Sequence, residues 1–492
     1  MTFSIASSYT KTRSILDETP NDALPPLSSI TKGVESLPTH LPSTGLGEEV
    51  TEAHLLSSIV PGFNGPKTSA NYYGFVTGGV FPIAEVADNI VTAFDQNVQV
   101  HLPDQSISTI VEDKALSMLV ELLKLGQGWD GRIFTTGATG SNILGLACGR
   151  EAVINFRLKA VGEEQGVGEL GLLAACAKAG IKEIQVLTTM GHGSLYKAAS
   201  IVGIGRASVK DIPFSSTEPW RINLELLEKE LQREQEGIVS IVALSAGEVN
   251  TGRFATDATS IKSIRDLCTK YNTWLHADGA FGAFARCLPE TDEFSSLLTA
   301  SSGLELVDSL TGDAHKMLNV PYDCGFFLTR SSNTLSSVFQ NPNAAYLATE
   351  SSAIPSPLNI GLENSRRFRA LPVYAVLLAY GSTGLSEMFA RQVRLARSIA
   401  SYLQSSPKHE LLAQGEDQKG DFGNTHIIVI FRAKEEELNQ VLVKRINGTR
   451  QMYVSGTKWG GRSAVRVAVS TWRVEVERDF GVVRGVLEGV VV

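Results

Sequence analysis

The chain has 492 residues, 43% of them hydrophobic and 20% charged, with a formal net charge of −8 at pH 7. That length exceeds one small core and predicts two or three packed units of an ordinary globular protein. The acidic balance argues against a dedicated nucleic-acid binder, which needs excess Lys and Arg against phosphate, and no apolar run is long enough to span a bilayer.

Residues 1 to about 45 are rich in Ser, Thr and Pro, show little periodicity and read as an irregular lead-in. The first stretch lacks the apolar core of a secretion signal, so a cytoplasmic protein is expected. Cys148, Cys176, Cys268, Cys287 and Cys324 form no CxxC pair, which predicts neither a metal site nor a disulfide framework. From about 50 to 125, "PIAEVADNIVTAF" and "TIVEDKALSMLVELLKLG" repeat apolar residues every three to four positions and predict helices.

The texture then changes. Short β-forming runs alternate with helical stretches: "RIFTTG" then "SNILGLACGREAVINF", "IQVLTT" then "SLYKAASIVG", "VSIVALSA" then "SIKSIRDLCTKY". Further strands are expected at "TWLHADG", "LELVDS" and "GFFLTR". This alternation predicts an α/β fold with a mainly parallel central sheet. Beyond about 372 a long helical pattern gives way to "THIIVIFRA", "QMYVSGTKWG" and "AVRVAVSTW", a smaller α+β domain.

In open α/β sheets, ligands bind at the carboxyl ends of the strands. Five polar signals fall there. "TTGATGSN" (135–142) joins a strand to a helix through small residues, which suits an anion at a helix N-terminus or simply a tight connection. His192 in "MGHGSLYKA" and the loop "SAGEVNTGRF" are unspecific alone. In "HADGAFG", Asp278 fits either a helix N-cap or a carboxylate set against a cationic ring nitrogen, with Ala280 leaving room for a flat ligand. In "DSLTGDAHKMLNVPYDCG", Lys316 reads either as a snorkelling surface lysine or as a desolvated amine poised to form a Schiff base. No carboxylate partner for it is evident. A phosphate cradle, a stacking His, an Asp for a pyridine nitrogen and a Lys, in that order, are what pyridoxal 5′-phosphate requires.

With these motifs the chain resembles the group II pyridoxal-phosphate amino-acid decarboxylases, which include the aromatic-amino-acid, histidine and glutamate decarboxylases. The resemblance runs from about Tyr72 to Trp472, through "NYYGFVTGG", the lysine motif and "RRFRALPVYAVLLAYG". It implies the fold-type I, aspartate-aminotransferase-like architecture and a homodimer. The implied division is a dimer-wrapping segment at 1–100, a cofactor domain at 101–371 and a small domain at 372–492. It also implies that Lys316 carries the cofactor, Asp278 pairs with its ring nitrogen, His192 stacks on the ring, and Ala138 and Thr139 hold the phosphate with His315 nearby. Tyr346 falls where the family places a proton-donating loop tyrosine, and Arg466 where it has an arginine for the substrate carboxylate. Tyr73, Phe75 and Val76 suggest an apolar pocket and an aromatic amino acid. "DA" before His315, Met317 after Lys316, and Glu248 in "GEVNTG" depart from the family pattern. Aldehyde synthesis, another pyridoxal reaction on the same fold, or a non-catalytic binding role are the competing readings. Tyr346 speaks against the first, and the Lys316, Asp278 and His192 set against the last.

Overall fold

The computed structural model describes residues 3–342, 354–415 and 422–491. The central strands are β1 (Gly131–Thr135), β2 (Glu183–Thr188), β3 (Val209–Asp211), β4 (Ile238–Ser245), β5 (Trp274–Asp278), β6 (Ser309–Asp313) and β7 (Gly325–Thr329). β1, β2, β4, β5 and β7 fall on runs expected as strands, whereas β3 was not among them. All seven form one sheet in the order β1-β7-β6-β5-β4-β2-β3. β2 to β6 pair in parallel, whereas β7 lies antiparallel to both β1 and β6. Every residue of β4 is buried, as expected for a strand covered on both faces.

The helix Ala138–Ala160 packs close to this sheet because glycines face it. A Cβ on Gly145 would come within 2.5 Å of the His276 ring, and one on Gly149 within 2.9 Å of Trp274. Leu144, Cys148 and Ile154 from this helix join Val186, Ile241 and Phe327 in the core. Each large apolar side chain so buried contributes about 1.5–3 kcal/mol. These elements belong to a compact unit formed by Val80–Val393 and Ala413–Ile428.

The other unit comprises Met1–Gly79, Arg394–Leu412 and Val429–Val492. Its sheet contains β8 (His409–Leu411), β9 (Ile428–Ala433), β10 (Ser455–Trp459) and β11 (Arg462–Ala468) in the order β10-β11-β9-β8. The helices Glu436–Gly448 and Val476–Gly489 complete its C-terminal part. The long segment Ala370–Ser405 is helical except at Gly381, whose φ of 58° and ψ of −175° break it.

Two expectations are corrected. The lead-in is helical over Ile5–Glu18 and Leu27–Glu35. Ser4 caps the first of these through the Ser7 N–H, and Glu52 takes Lys11 at 2.7 Å. The cap is local, whereas the Lys11–Glu52 pair joins residues 41 apart, a contact that composition does not reveal. "LELVDS" is not a strand: its first three residues make a short 3₁₀ turn, and the strand is the following "SLTGD". β6 is buried through pairing on both sides, so it needs few large side chains.

Candidate active site

Strand register gathers the polar residues at one edge. Ser245 lies opposite Asp278, and Asp278 opposite Thr311. Asp313 and Thr135 both lie opposite Gly325. Because β7 runs backwards, its first residue meets the last residues of β1 and β6. A Cβ on Gly325 would come within 2.5 Å of Gly137 Cα, so glycine is required for this approach.

Asp278 ends β5, and its carboxylate is held from two sides. Oδ2 accepts from Asn142 Nδ2 at 2.8 Å, and Oδ1 accepts from the Ala280 N–H at 3.2 Å. Since Asn142 donates through Nδ2, its Oδ1 must accept from His276 Nε2, 3.0 Å away. His276 Nδ1 then accepts from Ser309 Oγ at 2.8 Å, while Ser309 Oγ accepts from Trp274 Nε1 at 2.9 Å. Burial pushes the His276 pKa down to about 4, which fits this neutral ring with one donor and one acceptor. Every link in the chain is satisfied, and a satisfied buried network fixes one geometry.

The same amide reaches His192. Asn142 Nδ2 also donates to Ser194 Oγ at 3.0 Å, and Ser194 Oγ lies 2.7 Å from His192 Nδ1. His192 caps the helix Gly193–Ile201, with Nδ1 accepting from the Ser194 N–H at 3.1 Å. Its Nδ1 is thus an acceptor and the ring orientation is fixed. One asparagine therefore ties together the residue expected at the ring nitrogen and the residue expected on the ring face.

Lys316 sits in the short helical turn Ala314–Met317 after β6. The expectation that it has no carboxylate partner is wrong. Its Nζ lies 2.8 Å from Asp313 Oδ2, one turn back, and the Asp313 side chain is 3% exposed. Asp313 Oδ1 accepts from the Ala138 N–H at 2.6 Å, at the start of the helix expected to cradle phosphate. Thr139 follows in that first turn. His315 is oriented by the Cys324 N–H, which donates to its Nδ1 at 3.2 Å, and its ring lies 4.6 Å from that of Tyr322. Burial lowers its pKa. The donor set fits pyridoxal phosphate: an amine, a fixed carboxylate, an oriented imidazole and a helix N-terminus lie on one sheet edge.

Glu248, the departure noted in the third loop, is buried and organises its own turn. It accepts from the Asn250 and Thr251 N–H groups at 2.9 and 2.8 Å and from Thr251 Oγ1 at 2.8 Å. Tyr73, Phe75 and Arg466 belong to the other unit. Tyr73 is fully buried, and its hydroxyl donates to Asn71 Oδ1 at 2.8 Å. Burial pushes this phenol well above its ordinary pKa. Phe75 and Val76 both have left-handed backbones, with φ of 58° and 67°, and Phe75 is 65% exposed. Arg466 is buried in β11. Tyr346 lies outside the described residues.

The sequence family described as "Pyridoxal-dependent decarboxylase conserved domain" matches residues 81–434, most of the chain. The chain belongs to this family. Its enzyme class is that of the carboxy-lyases acting on amino acids, and its cofactor is pyridoxal 5′-phosphate. An L-2,4-diaminobutyrate decarboxylase of Acinetobacter baumannii is 28% identical over 340 residues, 68% of this chain and 62% of that enzyme. Tryptophan decarboxylase 1 of Oryza sativa is 24% identical over 481 residues, 92% of this chain and 86% of that enzyme. The crystal structure of Rhodiola rosea 4-hydroxyphenylacetaldehyde synthase superposes with a TM-score of 0.78 at 20% identity, covering 99% of this chain and 96% of the other. At that identity the likeness bears on the fold, which is the fold-type I architecture expected.

Asn142, Ser194, His276 and Asp313 were not singled out from the sequence. All four lie inside quoted motifs, but their partners come from segments far away in the chain, as with Asn142 and His276, 134 residues apart.

Proposed function

We propose that the chain converts an aromatic L-amino acid to its amine and CO₂, acting as a homodimer. The observation that supports the reaction most directly is the Asn142 amide, which holds Asp278 on one side and links to His192 through Ser194. When bound, the cofactor supplies an electron sink conjugated to the substrate amine. Asp278 would face the cationic ring nitrogen. Each pKa unit by which it favours the protonated form corresponds to about 1.4 kcal/mol. His192 would stack on the ring, and Ala280 leaves room beside it. Ala138, Thr139 and His315 would hold the phosphate, and Asp313 keeps the Lys316 amine at the sheet edge. Tyr346 would carry the late proton to Cα.

On the family resemblance, we assign the substrate carboxylate to Arg466 and its side chain to Tyr73, Phe75 and Val76. The 92% coverage by a tryptophan decarboxylase supports an aromatic substrate. The relative acting on 2,4-diaminobutyrate favours a second reading, a basic side chain. Incubation of purified holoenzyme with each of the common L-amino acids, scored for CO₂ and amine, separates the two. An aromatic substrate is expected to give the highest kcat/KM. A basic or acidic one in first place overturns the substrate assignment, and CO₂ from none overturns the reaction.

A further inference from the structure

A cavity in the larger unit is built from none of the residues assigned to the cofactor. It has a volume of about 430 Å³ and is lined by Glu218, Trp220, Arg253, Phe254, Asp257 and Thr299, among others. A pocket of this size suits a small organic molecule.

Its chemistry centres on Arg253, which is 7% exposed. Nε donates to the Ala413 carbonyl at 3.2 Å, but Nη1 is buried with no hydrogen-bond partner among the described residues. Each carboxylate in the cavity has one oxygen engaged by a neighbour. Glu218 Oε2 pairs with Arg221 at 2.8 Å. Asp257 Oδ1 accepts from the Thr259 N–H at 2.9 Å, the Ser260 N–H at 2.8 Å and Ser260 Oγ at 2.9 Å. Burial pushes Arg253 down to about 10, with Glu218 offsetting part of that effect, so the group still carries its charge at neutral pH. A buried cationic N–H without an acceptor is costly and is seldom retained unless something completes it.

What completes it must match both signs. The bonds described for Glu218 and Asp257 use one oxygen each, so Glu218 Oε1 and Asp257 Oδ2 remain as acceptors. The lining sets two guanidiniums, Arg253 and Arg221, against the two carboxylates, a balance that favours a ligand bringing an ammonium with its carboxylate over a dianion such as phosphate. Trp220 and Phe254 supply an apolar wall for a side chain. We propose that this cavity is a second amino-acid site, in which a zwitterionic α-amino acid places its carboxylate on Arg253 and its ammonium toward Asp257 and Glu218.

Holoenzyme reduced with borohydride, which fixes the cofactor on Lys316 and closes catalytic exchange, is titrated calorimetrically with the L-amino acids, acetate and inorganic phosphate. At least one amino acid is expected to bind saturably, with acetate and phosphate at least about tenfold weaker. Arg253→Gln and Asp257→Asn should each weaken that binding by at least about tenfold. Asp257→Asn keeps the Oδ1 acceptor of its turn, so it decides the matter if Arg253→Gln fails to fold. Absence of saturable binding up to about 10 mM overturns the site, as does binding unchanged in the Asp257 variant. Acetate or phosphate binding as tightly as any amino acid overturns the zwitterion.

Discussion

Acidification should loosen the larger unit through one buried ring. His276 is fully buried, and its pKa falls from 6.5 to about 4 in the folded chain. The unfolded chain therefore takes up the proton first, and stability is lost as pH falls from about 6.5 toward 4. Taking these two values, the loss between about pH 7.5 and pH 4.5 is on the order of 2–3 kcal/mol from this group alone. The structural cause is the relay in which Nε2–H serves Asn142 and Nδ1 accepts from Ser309, leaving a second ring proton no acceptor unless Ser309 reverses. The assay is urea unfolding at both pH values for the wild type and for His276→Gln, which carries a neutral donor and acceptor and does not titrate. Other acid-sensitive groups cancel in the difference, including His409, also held at about 4 by burial. The wild type should lose on the order of 2–3 kcal/mol more than the variant. Equal losses would refute the assignment of a neutral, burial-suppressed His276.

Lys316→Ala should abolish the cofactor's visible absorbance and activity and also cost about 2 kcal/mol, because Asp313 keeps a buried charge without its counter-ion. Adding Asp313→Asn should restore most of that stability without activity, and a double variant as unstable as the single one in thermal unfolding contradicts the pairing. Gly145→Ala should destabilise by about 1–3 kcal/mol, since its Cβ would meet the His276 ring at 2.5 Å. A melting temperature equal to that of the wild type would show that the helix can retreat. Tyr346→Phe should still release CO₂ but divert product in air toward aldehyde, ammonia and peroxide. Amine formed at the wild-type rate without aldehyde removes Tyr346 from the proton-transfer step.

The strand–helix alternation from Arg132 to Arg330 was legible because buried parallel strands are continuous apolar runs. β6 was missed for the converse reason: "SLTGD" is small and polar, yet buried by its neighbours. Asp278 was legible because a charged residue closing an apolar run is conspicuous, and Lys316 because it stands beside a histidine between apolar stretches. Asn142 and Ser194 were not, since a polar residue inside a helix looks the same whether it faces water or a buried carboxylate. Asp313 stood in plain view, but its bond to the Ala138 N–H depends on a fold that brings β1 and β6 to either side of β7.

The reversed direction of β7 has a consequence for engineering. Since β6 ends and β7 begins at the same edge, Asp313 and Gly325 face each other as a register pair. The segment between them leaves the sheet and returns to it without crossing to the far side. Closing so short an excursion costs little entropy, and changing its length modestly alters that cost by only tenths of a kcal/mol. Residues 314–324 thus behave as a cassette with two fixed anchors. Grafting the corresponding stretch from another family member should exchange the surroundings of the lysine as one piece, while the register of all seven strands stays as it is.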